Sequence, residues 1–302
     1  MTLFSKPYHW VLACLLLTFA GDRGGGALLE KIVAESQFRY SRLYRGDAGC
    51  DLLFMGNSRG LIFYQPYIEE KTGLETCNLS YNAMPMSLAR VLIMDHLDLN
   101  RPPQKLFIDI SLIDDRMDEN LSTSFNCYAT WSERLRTLLR ERFPKAWYAG
   151  RVSHLYRYNN EVFQRALYYW KRSDEDWLLD RVITPTLQQK VLQQGPFYFR
   201  FTQQMLADLK ATVEYAKSKG VEVVLLVNPY YPPFASKIAN LDELIAAVED
   251  ATGLEVHNYY NAIDGVAGFG DYQHLNKEGS RQYLDLLLRD GLLLPGRSLG
   301  QR

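Results

Sequence analysis

Five short, uninterrupted apolar runs constrain this chain more than any other feature. They are "DLLFMG" (51–56), "LETCNLS" (74–80), "KLFIDIS" (105–111), "VEVVLLVN" (221–228) and "LEVHNYYNA" (254–262). Runs of this length, with little alternation of polar and apolar residues, suit strands covered on both faces of a sheet. Helix-patterned stretches lie among them: "YQPYIEEKTG", "SLARVLIMDHLDL", "QMLADLKATVEYAKSKG" and "LDELIAAVEDATG". A glycine closes three of these, where a helix commonly ends on a left-handed residue. "KEGSRQYLDLLLRD" supplies a last helix. Strand–helix alternation joined by right-handed crossovers predicts an α/β fold, a three-layer α/β/α sandwich around a mainly parallel five-stranded sheet.

Two regions depart from this rhythm. Between about residues 114 and 195 the chain is rich in Arg, Tyr and Trp. There "YATWSERLRTLLRERF", "YRYNNEVFQRALYYWKR" and "DEDWLLDRV" read as helices of an insertion between the third and fourth strands. At the N-terminus, "MTLFSKPYHWVLACLLLTFAG" places Lys6 before an apolar run from Trp10 to Ala20. It fits an uncleaved anchor or a secretory signal, and the lack of a clear Ala-x-Ala site favours the anchor. Lys6 and the terminal amine then favour a cytoplasmic N-terminus, with the rest outside, periplasmic or at the cell surface. Cleavage would instead give a secreted protein. "DRGGGALLEK" reads as a membrane-exit linker, so the predicted organisation is a segment over 1–26 and one α/β domain over 27–302.

Bulk properties remove some functions. A net charge of −1 provides no general field for nucleic acid or an anionic membrane. Cys14 lies in the apolar run; Cys50, Cys77 and Cys127 show no metal-ligand spacing. Cys50 and Cys77 could pair in an oxidising compartment or stay as buried thiols. His9, His96, His154 and His257 make no metal set with nearby acids, so no metal or cofactor is expected.

The residues with chemical promise fall at strand ends. Ser58 follows the first strand in "MGNSRG", where ligands bind in open parallel sheets. A helix starting there would offer backbone N–H groups to an oxyanion, while the alternative role for Ser58 is a helix cap. "DYQHLN" sets Asp271 three residues before His274, so one loop could supply a base for the serine and a carboxylate to orient it. In "NLSYNAM" a backbone amide could be a second oxyanion donor, with Asn78 in support. "VNPYYPP" adds Asn228, Tyr230 and Tyr231 at the same sheet edge.

Together these blocks resemble the SGNH/GDSL hydrolase superfamily, and more narrowly its membrane-anchored DltD-like envelope members, over about residues 40–112 and 218–290. The resemblance implies a flavodoxin-like SGNH fold, with Ser58 as nucleophile, His274 and Asp271 completing a triad, and the N–H groups of Ser58 and Ala83 forming the oxyanion hole. Arg59, Asn78, Asn228 and Tyr230 become substrate-binding candidates, Arg59 alternatively anchoring its own loop. The chain departs from the pattern twice. "NLSYNA" has Ser80 and Ala83 where relatives carry glycines, and "DISLIDD" stands where Gly-x-Asn-Asp is usual. Ser111 and Asn126 are the candidates to replace the missing asparagine. The implied activity is esterase or O-acyltransferase on an envelope polysaccharide or other acylated polymer. The implied partner is a membrane-bound O-acyltransferase, and a weak or inactive binding component is the alternative.

Overall fold

All four side chains of β1 (Leu52–Met55) are buried, as a strand covered on both faces requires. In the computed structural model, which describes residues 7–173 and 176–294, the other runs form β2 (Thr76–Asn78), β3 (Lys105–Asp109), β4 (Glu222–Val227) and β5 (Val256–Asn258). The sheet is parallel throughout, in the order β2-β1-β3-β4-β5. In register, Leu53 of β1 lies between Cys77 and Leu106. This is the flavodoxin-like order. The winding reverses between β1 and β3, which opens a crevice at their carboxyl ends.

The helices in chain order are α1 (Pro7–Glu35), α2 (Arg39–Arg45), α3 (Gln65–Thr72), α4 (Met86–Leu99), α5 (Leu121–Ser124), α6 (Glu133–Arg142), α7 (Pro144–Val152), α8 (Glu161–Tyr168), α9 (Pro185–Gln193), α10 (Gln203–Ser218), α11 (Pro232–Ala235), α12 (Leu241–Thr252) and α13 (Lys277–Arg289). Right-handed crossovers put α4, α10 and α12 on one face of the sheet and α3 and α13 on the other. Consistent with this, α10 packs on α4 and α12. Across the opposite layer, Tyr67 donates to Asp285 at 2.7 Å.

The chain divides into two compact units, one of residues 46–121 and 174–302, the other of residues 1–45 and 122–173. The first carries the sheet; the second holds α1, α2, α6, α7 and α8. The expected insertion over 114–195 therefore leaves the sheet unit only over 122–173. Helix α9 returns with the sheet.

The boundary expected at residue 26 falls inside α1, which runs unbroken for 29 residues. Gly25 and Gly26 form a contact surface and not a linker. A Cβ on Gly26 would overlap the His154 Cβ, and one on Gly25 would lie 3.2 Å from Leu155 Cδ2. Beside them, Asp22 accepts from the Ser153 hydroxyl and from the N–H groups of His154 (2.8 Å) and Leu155 (3.1 Å). Each interior glycine costs a helix about 1 kcal/mol relative to alanine, and these long-range contacts offset it. N-terminal to Asp22 the helix is bare: Trp10, Leu12, Leu15, Leu16, Leu17 and Phe19 are all more than half exposed. Tyr8–Glu35 is long and apolar enough to cross a membrane by length and composition. Lys6 lies outside the described residues.

One expected helix is absent. In "DEDWLLDRV" residues 174–175 lie outside the described residues, and 176–182 contain no helix. Their backbone pairs elsewhere: Lys277 N–H donates to Leu179 O at 3.0 Å, and Ile183 N–H, just beyond, donates to Phe269 O at 2.7 Å. Those bonds use groups that a helix would need for itself.

Candidate active site

Strand β1 ends at Met55 and the chain turns sharply through Gly56. A Cβ at Gly56 would stand 2.8 Å from Gly60 Cα, so only glycine fits this close return. The expected helix at Ser58 is a single 3-10 turn, Ser58–Ile62. Its cap is Asn57, whose Oδ1 accepts from Arg59 N–H at 2.9 Å. The Asn57 amide also donates to the carbonyl and hydroxyl oxygens of Ser111, each at 3.0 Å. Capping thus falls to Asn57, and the half-buried Ser58 hydroxyl is left to approach His274 Nε2 at 2.7 Å. The work of Asn57 went unread in the sequence, although an asparagine before a turn is a common cap.

The partner loop folds on itself. Asp271 Oδ1 accepts from Gln273 N–H at 2.8 Å and His274 N–H at 2.9 Å. Both its oxygens lie 2.9 Å from His274 Nδ1. With the Nδ1 proton directed at Asp271, Nε2 presents its lone pair to the serine hydroxyl. Burial pushes the Asp271 carboxyl up, but the hydrogen bond and charge of His274 and the two backbone N–H groups outweigh it. The carboxyl is held below its ordinary value.

The loop after β2 lies against the same turn. Leu79 N–H donates to Phe54 O at 2.8 Å and Tyr81 N–H to Gly56 O at 3.3 Å. Ala83 has φ +52° and is the one non-glycine residue at positive φ among those described. An alanine there is strained by roughly 1–2 kcal/mol, since this is a region that glycine occupies without penalty. Among the described residues the N–H groups of Ser58 and Ala83 have no hydrogen-bond acceptor.

The four substrate-binding candidates are all internal supports. Arg59 is 4% exposed, donates to Gln273 O at 3.1 Å and to Asn228 O, and stacks with its Cζ 3.3 Å from the Tyr230 ring centroid. Its Nε lies 3.7 Å from Asp109 Oδ2. Arg59 therefore anchors its loop. Asn78 donates to Gly60 O at 2.9 Å and Phe63 O at 3.2 Å. Asn228 donates to Asp109 at 2.9 Å and accepts from Tyr283 at 2.8 Å. With Tyr230 only 2% exposed, all four side chains are buried among these partners. The candidates for the missing asparagine are likewise committed. Ser111 donates its hydroxyl to Asp109 at 2.8 Å, and Asn126 lies in the helical unit with its amide on Ala146 O at 3.1 Å.

One grouping was invisible in the spacing. Cys50, Cys77 and His96, all buried, bring ligand atoms within 4.8 Å of one another. His96 Nε2 (2.7 Å) and Cys77 Sγ (3.1 Å) both bond the Ala48 carbonyl, and the thiols are free. Among the described residues these are three ligand atoms, two of them held on one carbonyl, against the four that a closed structural zinc site takes.

The chain thus combines a flavodoxin-like parallel sheet with a hydrogen-bonded chain of Ser58, His274 and Asp271 at the carboxyl ends of its strands. No family model matches the chain, and no curated protein matches it. Among solved structures it is similar to a Bacteroides fragilis protein provisionally assigned as an acylhydrolase. That similarity covers 80% of this chain and 87% of the other, at 11% identity and a TM-score of 0.37.

Proposed function

We propose that the protein is a membrane-anchored, extracytoplasmic serine esterase or O-acyltransferase of the SGNH type, acting on a cell-envelope carbohydrate or related polymer. The observation that carries the reading is the hydrogen-bonded chain from Ser58 Oγ through His274 to Asp271, at 2.7 and 2.9 Å. The Ser58 oxygen attacks an ester carbonyl carbon as its proton passes to Nε2, and Asp271 holds the resulting imidazolium. The developing oxyanion accepts from the N–H groups of Ser58 and Ala83. Collapse breaks the ester bond, the leaving alcohol takes the proton from His274, and an acyl-serine remains. Water then completes hydrolysis, or a polymer hydroxyl completes transfer. The polymer substrate and a membrane-bound O-acyltransferase partner rest on the resemblance to DltD-like proteins; the exposed apolar half of α1 supports the anchor.

The commitment of Ser111 and Asn126 favours a second reading, a weak or inactive binding and assembly component, because a third oxyanion donor is missing from the expected place. Labelling by a fluorophosphonate probe separates the two. Covalent labelling of the native protein, lost in Ser58→Ala and His274→Ala, supports the enzyme. A folded native protein that takes up no probe assigns the fold to binding.

A further inference from the structure

The helical unit carries a face that the catalytic reading does not use. Residues 122–173 hold ten Lys and Arg against three Asp and Glu, in a chain whose net charge is −1. Within that segment, Lys145, Tyr148, Arg151 and Val152 of α7 are exposed, followed by Leu155 and Tyr156 in the next turn. Tyr148 is 61% exposed and Val152 78%. Large apolar groups so bare, set among cations, are unusual on a surface facing only water.

Their position along α1 supplies the meaning. The carbonyl of Val152 accepts from Arg23 at 3.1 Å, and Asp22 holds the backbone of His154 and Leu155. This face is therefore fastened to α1 at the residues where its bare apolar stretch ends. Pro7 to Ala20 spans about 21 Å at 1.5 Å per residue, short of a hydrocarbon core of about 30 Å. An apolar stretch that short draws the polar residues that flank it on the helix, and whatever they hold, against the bilayer surface.

We propose that this face is a membrane-contact collar: its tyrosines and aliphatic groups enter the headgroup boundary of an anionic bilayer while Lys145 and Arg151 pair with lipid phosphates. Aromatic rings at the interface and cations beside anionic lipid are each favourable there. The inference rests on α1 being a membrane anchor and is independent of the chemistry at Ser58.

The test uses the full chain with Cys14→Ser, reconstituted in phosphatidylcholine vesicles with and without phosphatidylglycerol. An environment-sensitive fluorophore is placed on a cysteine at Leu16, Val152, Tyr156 or Tyr168. Tyr168 is the control within the same unit. Its neighbour Trp170 contacts Glu35, thirteen residues beyond Asp22 and so about 20 Å further along α1. The expected result is at least two-fold stronger quenching at 152 and 156 than at 168 by lipids spin-labelled near the headgroup. That excess should shrink in K145E/R151E and without phosphatidylglycerol. Quenching at Leu16 alone overturns the collar and leaves the anchor standing, whereas loss of quenching at Leu16 as well overturns both. A blue shift at 152 and 156 that grows with protein concentration, without lipid quenching, assigns the face to a second copy and also overturns the collar.

Discussion

Ser58 and Asn57 divide two tasks that a single serine cannot perform together. A hydroxyl accepting from a backbone N–H as a cap is poorly placed to donate to an imidazole. Here Asn57 takes the cap, and the serine keeps its 2.7 Å bond to His274. For the proposed enzyme, S58A and H274A should each lower kcat/KM by about 10⁴-fold or more in an ester-hydrolysis assay. D271N, which keeps the shape but reverses the Nδ1 partner, should cost about 10⁴-fold in kcat. The same carboxylate gives a stability prediction. Its value in the folded protein is lowered, so its contribution is complete above the ordinary 3.8 and is lost as pH falls through the lowered folded value. Urea midpoints of D271N should therefore fall less steeply than those of the native protein on acidification below 3.8. An unchanged slope would remove Asp271 from the acid response.

At the scale of elements, the 3-10 turn after β1 depends on the side chain of Arg59. It reaches the backbone at the end of β4, the residue preceding His274, and Asp109 at the end of β3. Replacing it with Met leaves the fully buried Asp109 carboxylate without its cation, which should cost about 3–5 kcal/mol in denaturant unfolding. A second change, Asp109→Leu, should recover part of that loss, as removal of both charges of a buried pair usually does. Helix α1 offers a matched pair. G26A forces a Cβ into His154 and should destabilise by roughly 1–3 kcal/mol. G24A has nothing within 4 Å and should stabilise by up to about 1 kcal/mol. If both raise the thermal midpoint, the 154–155 segment is not packed on α1 as described. The buried thiols give a third check. The hydrogen bond that the Cys50 thiol donates to Cys77, and then burial, raise it, so it should resist aromatic disulfide reagents until the protein is unfolded.

Over the whole molecule, the partition into two units was the least legible feature. A bulk charge of −1 averages away the strongly basic segment 122–173, and composition does not show that α1 and α2 belong with it. Val33 of α1 is wholly buried, whereas the helix before Asp22 is bare. For the proposed anchor, removing residues 1–21 should release the protein into solution with its thermal midpoint unchanged. Removing 1–35 should unfold the helical unit and expose 122–173 to proteases. Equal behaviour of the two truncations would show that α1 contributes no packing.

The sequence by itself determined the sheet. Strands buried on both faces, as β1, β3 and nearly all of β4 are, must be continuous and largely apolar, and helices covering them must carry a matching stripe, so both periods are written locally. It also placed Ser58, Asp271, His274 and the Ala83 loop at strand ends, because chain order and right-handed crossovers dictate which loops share an edge. Only the tertiary structure decided what long-range contacts control. Arg59, Asn78, Asn228 and Tyr230 point inward because buried partners at β3, β4 and the Asp271–His274 loop claim them. Gly25 and Gly26 of α1 sit in the helix against Leu155 and His154, and residues 176–182 form no helix because the backbone around 269–277 pairs with theirs. Each of those outcomes depends on a neighbour far away in the chain, which no local pattern records.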